Sequence, residues 1–185
     1  MKFEEIINKL SDLEIYILND DIELYHHFAS KLSEGSQILD LGTGWGKSAL
    51  CLALSNPKAS VITMDVGTFQ VSTGWAKDID DYKVKMRQQF KKYGAENITL
   101  VCGDVLKLPT YENYFDIIHT DIMKPGMVGR WLSSLKSGGV LMARNYTSNG
   151  IRLDEQIPFR AEIDKFCKKW EPVGRKGLIG VFKKP

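Results

Sequence analysis

Two helical patterns open the chain. Residues 3–10 and about 13–33 carry apolar side chains every three or four positions, the second through Ile15, Leu18, Ile22, Tyr25, Phe28 and Leu32, with Gly35 as a stop. Strand-like and helical stretches then alternate. Gln37–Leu41 reads as a short buried strand, Lys47–Leu54 as a helix ended by Asn56-Pro57, and Ser60–Met64 as a second strand. A charged amphipathic helix over 78–93 closes at Gly94, and strands follow at Ile98–Cys102 and Phe115–Thr120. Val128–Leu135 reads as a helix, Val140–Ala143 as a fifth strand after Gly138-Gly139, and Asp154–Lys169 as a last helix. Trp170–Val173 and Leu178–Lys183 have the pattern of a hairpin around Arg175-Lys176-Gly177.

Strands that alternate with helices imply right-handed crossovers and an α/β fold, a mostly parallel sheet with helices on both faces. The hairpin adds an antiparallel edge and brings the expected sheet to seven strands. In such a sheet the ligand sits at the carboxyl ends of the strands, at the switch point beside the first strand. The glycine-rich stretch "ILDLGTGWGKSAL", residues 38–50, lies there. No repeat, low-complexity tract or linker divides the chain, so 1–185 is expected to form one domain, with N-terminal helices over 1–35 and a core over 36–185.

Composition narrows the class. With 185 residues, 43% hydrophobic and 26% charged, the chain has the profile of a soluble globular domain able to bury a sizeable core. A net charge of +2 gives no strong field for nucleic acid. The three cysteines, Cys51, Cys102 and Cys167, are scattered and read as apolar core residues in a reduced compartment, not as a disulfide framework or zinc knuckle. The amphipathic, acidic N-terminus is unlike a signal peptide, and no apolar run approaches a membrane span. A cytoplasmic protein without membrane attachment is expected; a homodimer is open.

Three ligands compete for the glycine loop. A triphosphate loop needs four residues between its glycine and Gly-Lys-Ser, but Gly42 stands one residue too close to Gly46-Lys47-Ser48. Lys47 then reads as a solvated residue in the first helical turn. A dinucleotide fingerprint needs a third glycine where Lys47 stands. Asp40, two residues before Gly42, aims a carboxylate at the expected mouth, which repels a pyrophosphate and attracts a cation. A ligand with an ammonium, a sulfonium and no phosphate suits it: S-adenosylmethionine. Asp65, at the end of "VITMD", is placed to accept hydrogen bonds from ribose hydroxyls. In "CGDV", Asp104 and a backbone amide are placed to read an adenine edge; the competing role for Asp104 is an N-cap of the next turn.

The segments "ILDLGTGWG", "ITMD", "LVCGDVLKLP", "FDIIHTD" and "LKSGGVLMARNY", in that order, resemble the class I S-adenosylmethionine-dependent methyltransferases, from about residue 36 to 147. The resemblance implies a Rossmann-like sheet with a terminal hairpin. It also implies a cofactor site made of Asp40, Gly42, Thr43, Gly44, Trp45, Gly46 and Ser48 at the methionyl end, Asp65 and Val66 at the ribose, Gly103, Asp104 and Val105 at the adenine, and Asp121. Asp121-Ile-Met-Lys124 is similar to the Asp-x-x-Lys segment of small-molecule O-methyltransferases of the catechol and caffeoyl-coenzyme A type. There the acid binds a divalent metal and the lysine is the base, which makes Asp121, Lys124, Arg144 and Asn145 the catalytic candidates. Lys124 would serve as a base where partial burial lowers its pKa.

One departure stands out. Where those enzymes carry Asp-Asn, this chain has Arg144-Asn145, followed by Tyr146. One Asp and one Asn make a poor site for a hard divalent ion, so metal dependence is disfavoured. Arg144 either clamps an acidic substrate with its planar fork, pairs with Asp121 or lies in solvent. His119 reads as a satisfied core histidine, and His26-His27 as surface or helix-packing residues. Residues 66–82 are long for a connection, either a lid or a loop packed on its own aromatics, Phe69 and Trp75. Trp45 either shields the cofactor or wedges against the N-terminal helix. The chain lacks the Asn/Asp-Pro-Pro-aromatic and Pro-Cys motifs of base methylation after its fourth strand. Methyl transfer to a small-molecule oxygen or nitrogen is the leading expectation. Its alternatives are a cofactor-binding module without catalysis and, disfavoured by Asp40, a nicotinamide-dependent oxidoreductase.

Overall fold

A computed structural model of the protein describes residues 1–13, 17–122, 124–146 and 153–185, the side chains of 153–155 excepted. Five parallel strands form its centre: β1 (Gln37–Leu41), β2 (Ser60–Asp65), β3 (Ile98–Cys102), β4 (Phe115–Thr120) and β5 (Leu135–Arg144). The hairpin of β6 (Glu171–Lys176) and β7 (Ile179–Lys183) joins antiparallel, giving a seven-stranded sheet in the order β3-β2-β1-β4-β5-β7-β6. The expected α/β sheet is present. The order reverses beside β1, which pairs with β2 on one side and β4 on the other.

The central strands are apolar on both faces, as a doubly covered sheet requires. Ile38, Val61, Ile117 and Met142 face one core, built with α1 (Phe3–Lys9), α2 (Asn19–Ala29), α3 (Lys47–Ser55) and α5 (Ile79–Lys92). Leu39, Leu41, Ile118 and Leu141 face the other, with α6 (Met127–Leu132) and α7 (Leu153–Phe166). Helix α3 is apolar all round and buried from Ser48 to Ser55. Helix α5 buries only Tyr82, Met86 and Phe90, one face at a spacing of four. Asp78 caps it by accepting from the Asp81 amide, and Gly94 follows its end in the left-handed region.

Three expected boundaries shift. The second helix is shorter than 13–33 because Leu18 caps it, and Asn56 donates to the carbonyls of Ala29 and Leu32 at its other end; Ile15 lies outside the described residues. Helix α6 stops at Leu132, short of Leu135, because the carbonyls of Ser133 and Ser134 accept amides from residues 113–115 at the start of β4. Strand β5 accordingly begins at Leu135, and its register to β4 skips from Leu135 to Val140 past Gly138-Gly139. The segment 66–82 holds a short helix, α4 (Thr68–Ser72). Trp75 packs edge-on against Tyr82, whereas Phe69 reaches across to Trp45.

Gly46 connects the fold to its loop. It caps α3 at φ +81°, and a Cβ there would approach Met86 Cε to 2.6 Å and Phe90 Cε1 to 2.8 Å. Gly44 shares the positive φ but faces open space. Gly46→Ala is therefore expected to cost about 2–4 kcal/mol in urea unfolding, and Gly44→Ala only about 1–2 kcal/mol. Equal losses in both would mean that contact with α5 is not what demands glycine at position 46.

Candidate functional site

The carboxyl ends of β1, β4 and β5 open on a cleft of about 120 Å³ lined by Ile17, Gly42, Thr43, Gly44, Trp45, Lys47, Ser48, Asp121 and Arg144. A larger hollow of about 340 Å³ lies at the opposite end of the sheet, by Gly138, Lys169 and Lys183. Parallel-sheet polarity and the convergence of unlike charges favour the smaller one.

The glycine loop is held from below and from the side. The Gly42 amide donates to the Met64 carbonyl at 2.9 Å. The Gly44 amide donates to Asp65 Oδ2 at 2.9 Å, while the Gly67 amide donates to the other oxygen at 2.8 Å. Burial raises the Asp65 carboxyl above the usual carboxylate range, and these amides oppose the rise. A carboxylate has about four acceptor sites, so Asp65 keeps acceptor capacity beyond these bonds.

Asp40 lies elsewhere than its sequence position suggested. It is fully buried beneath the loop and does not line the cleft. Its Oδ2 accepts from Thr63 at 2.6 Å, and its Oδ1 lies 2.6 Å from His119 Nδ1. The direct attraction of a bound cation to Asp40 is replaced by an internal pairing, because its strand position turns the side chain into the α2/α3 core. His119 is the satisfied core histidine expected, with Tyr25 Oη 3.0 Å from Nε2.

Arg144 pairs with acids instead of standing free. Its Nη1 donates to Asp121 Oδ2 at 2.8 Å, and its Nε lies 3.4 Å from Oδ2 of the buried Asp21. Asn145, at φ +66°, donates to the other Asp121 oxygen at 2.6 Å. Asp21 was not singled out in the sequence, where it reads as an ordinary first-turn acid; here it also accepts the amides of Leu18 and Leu178. Among the described residues, no three His, Cys, Asp or Glu side chains gather. A guanidinium against Asp121 also occupies the place a second carboxylate would need, so these residues do not fit a hard divalent ion.

Lys124 lacks the burial that a role as base required. Its side chain is 48% exposed, and its ammonium lies 3.7 Å from Asp104. Asp104 accepts the Leu106 amide at 3.0 Å, so its capping role is realised; that bond, then Lys124 and Lys107, hold its carboxyl below the usual range. Val105 packs its side chain into the second core and its carbonyl accepts from Trp131 Nε1, leaving its backbone amide for a ligand. Val66 and Gly103 sit at the ends of β2 and β3, with the Gly103 amide on the Asp65 carbonyl. Lys47, expected in solvent, lines the cleft and donates to the Leu13 carbonyl at 3.1 Å. His26 lies 3.3 Å from Ser55, a helix-packing contact, and His27 is exposed.

The sheet is Rossmann-like, with the cleft at the carboxyl ends of its parallel strands. A family model described as a methyltransferase domain matches residues 32–177, and the chain belongs to that family: it is an S-adenosylmethionine-dependent methyltransferase. No curated protein matches the chain. Among solved structures, the O-methyltransferase TomG of Streptomyces achromogenes, involved in tomaymycin synthesis and solved with S-adenosylmethionine, is similar at a TM-score of 0.65 and 14% identity, over 99% of this chain and 89% of that one. A caffeoyl-CoA O-methyltransferase candidate from Staphylococcus aureus is similar at 0.67 and 15%, over 99% and 92%. An rRNA methylase from Streptococcus thermophilus is similar at 0.60 and 18%, over 88% and 95%. At these identities the likeness is one of fold. Among the described residues, no helix is long and apolar enough to cross a membrane.

Arg144 neutralises two acids, one of them fully buried. Arg144→Met is expected to lower stability by about 3–5 kcal/mol, because Asp21 is left without its cation. Adding Asp21→Asn should recover at least half of that loss in urea titrations. No recovery would mean that Asp21 does not depend on Arg144.

Proposed function

We propose that the enzyme methylates an oxygen or nitrogen of a small-molecule acceptor. The observation that carries this is the size of the cleft, about 120 Å³ between Ile17, Trp45, Lys47 and Arg144. Ligand pockets usually exceed about 300 Å³, so this one takes the amino-acid end of the cofactor and a compact acceptor group. The chain's near-neutral charge supports a small acceptor over nucleic acid.

Bound here, S-adenosylmethionine supplies an electrophilic methyl group on a sulfonium. In this reading Asp65 accepts from the ribose hydroxyls, and Asp104 with the Val105 backbone meets the adenine. Lys47 and Ser48, at the start of α3, take the carboxylate of the amino-acid end, and Asp121 stands at its ammonium side. Asp121 is one-third exposed and keeps acceptor capacity beyond the bonds from Arg144 and Asn145. It therefore receives the acceptor's O–H or N–H, orients the nucleophile for in-line attack and takes its proton as the new bond forms. Trp45, edge-on to the exposed Phe69, walls the cleft against water.

Calorimetry is expected to give micromolar binding of S-adenosylmethionine and S-adenosylhomocysteine and none of NAD. With methyl-labelled cofactor, a panel of phenols, catechols, amines, total RNA and protein should yield label in the small-molecule fraction; label in RNA or protein alone would overturn the proposal. Asp121→Asn should lower that turnover by about 10²–10⁴-fold. Addition of a chelator should leave it unchanged, since the residues at Asp121 do not fit a divalent ion.

A further inference from the structure

A row of polar side chains crosses the sheet beneath the glycine loop. Thr63, Asp40 and His119 occupy paired positions on three adjacent parallel strands, β2, β1 and β4, so their side chains stand side by side on one face. All three are fully buried. The row continues at both ends. Thr63 Oγ1 lies 2.6 Å from Thr43 Oγ1 in the loop, and His119 Nε2 lies 3.0 Å from the Tyr25 hydroxyl on α2. From the far side, Tyr82 on α5 donates its hydroxyl to the Gly44 carbonyl at 3.4 Å.

The donors and acceptors can be assigned along it. A carboxylate only accepts, so Thr63 donates to Asp40 Oδ2 and its own oxygen accepts from Thr43. His119 donates Nδ1–H to Asp40 Oδ1, which leaves Nε2 to accept from Tyr25. Every hydroxyl proton of the row is thereby committed, and the Thr43 side chain is tied to it through Thr63. A buried polar row whose members are all satisfied holds its partners rigidly. The geometry it reaches is that of the loop.

We infer that the buried row Tyr25–His119–Asp40–Thr63 is a cofactor-positioning device, which holds Thr43 and with it the glycine loop in the shape that receives the amino-acid end of S-adenosylmethionine. None of the four residues lines the cleft; they act through Thr43, which does. The inference rests on the reading that this end of the cofactor lies in the cleft. It assigns Thr63 and His119 as positioning residues and gives Asp40 an indirect part in binding.

The test compares two ligands by calorimetry on the full chain: S-adenosylhomocysteine, and 5′-methylthioadenosine, which keeps the adenosine but lacks the amino-acid end. Thr63→Val preserves shape and removes the central hydroxyl. It should weaken S-adenosylhomocysteine about tenfold and leave 5′-methylthioadenosine within twofold. Thr63→Ser, which restores the hydroxyl, should bring affinity back to within about twofold of the wild type. Tyr25→Phe, one oxygen removed at the remote end, should show the same selectivity at about threefold, and it carries the test if Thr63→Val fails to fold. Equal weakening of both ligands, or no weakening of S-adenosylhomocysteine, would overturn the inference while leaving the cofactor site standing. Wild-type protein that binds 5′-methylthioadenosine as tightly as S-adenosylhomocysteine would instead overturn the placement of the amino-acid end, and the inference with it.

Discussion

Asp40 sits fully buried on the central strand, and the arrangement around it follows from what a carboxylate needs there. An ion of that size without partners costs several kcal/mol in an interior. Two donors from neighbouring strands meet it, Thr63 from β2 and His119 from β4, because parallel pairing puts all three in register. Satisfying His119 in turn requires Tyr25, which seats α2 against the sheet. Helix α2 also carries Asp21, and Asp21 fixes Arg144 at the end of β5. One buried charge is thus connected by hydrogen bonds and an ion pair to both walls of the cleft.

The same connection explains why the cleft departs from a metal-dependent pattern. Arg144 compensates Asp21 inside the protein and reaches Asp121 with its remaining fork, so Asp121 faces the cleft with both oxygens already partnered. Its carboxylate is held rigidly between a guanidinium and an amide. That suits a group that orients an acceptor more than one that shares a metal. Lys124, its ammonium turned toward Asp104, bridges the ends of two strands at the surface instead.

Much of this was legible from the sequence. Alternating apolar runs defined the strands because each central strand is buried on both faces, and the glycine loop and Asp65 fell at strand ends where parallel sheets bind ligands. The pairing of Arg144 with Asp121 was one of the readings that the sequence left open, beside a substrate clamp and a solvated side chain. Where boundaries moved, the cause was a partner distant in sequence. Helix α6 ended early because residues 113–115, at the start of β4, took the carbonyls of Ser133 and Ser134, and local periodicity carries no record of such a bond.

The direction of a side chain was the harder quantity. Asp40 precedes the loop by two residues and faces the core; Lys47 follows it and faces the cleft, the reverse of what proximity suggested. Asp21, Tyr25 and Thr63 carry no motif at all. The sequence by itself determined the alternation of elements, the polarity of the sheet and the identity of the loop, since these depend on periodicity and on residues within a short span. Only the tertiary structure decided which charges meet, because hydrogen bonds and ion pairs act over about 3–4 Å between residues that the sheet brings together from distant parts of the chain.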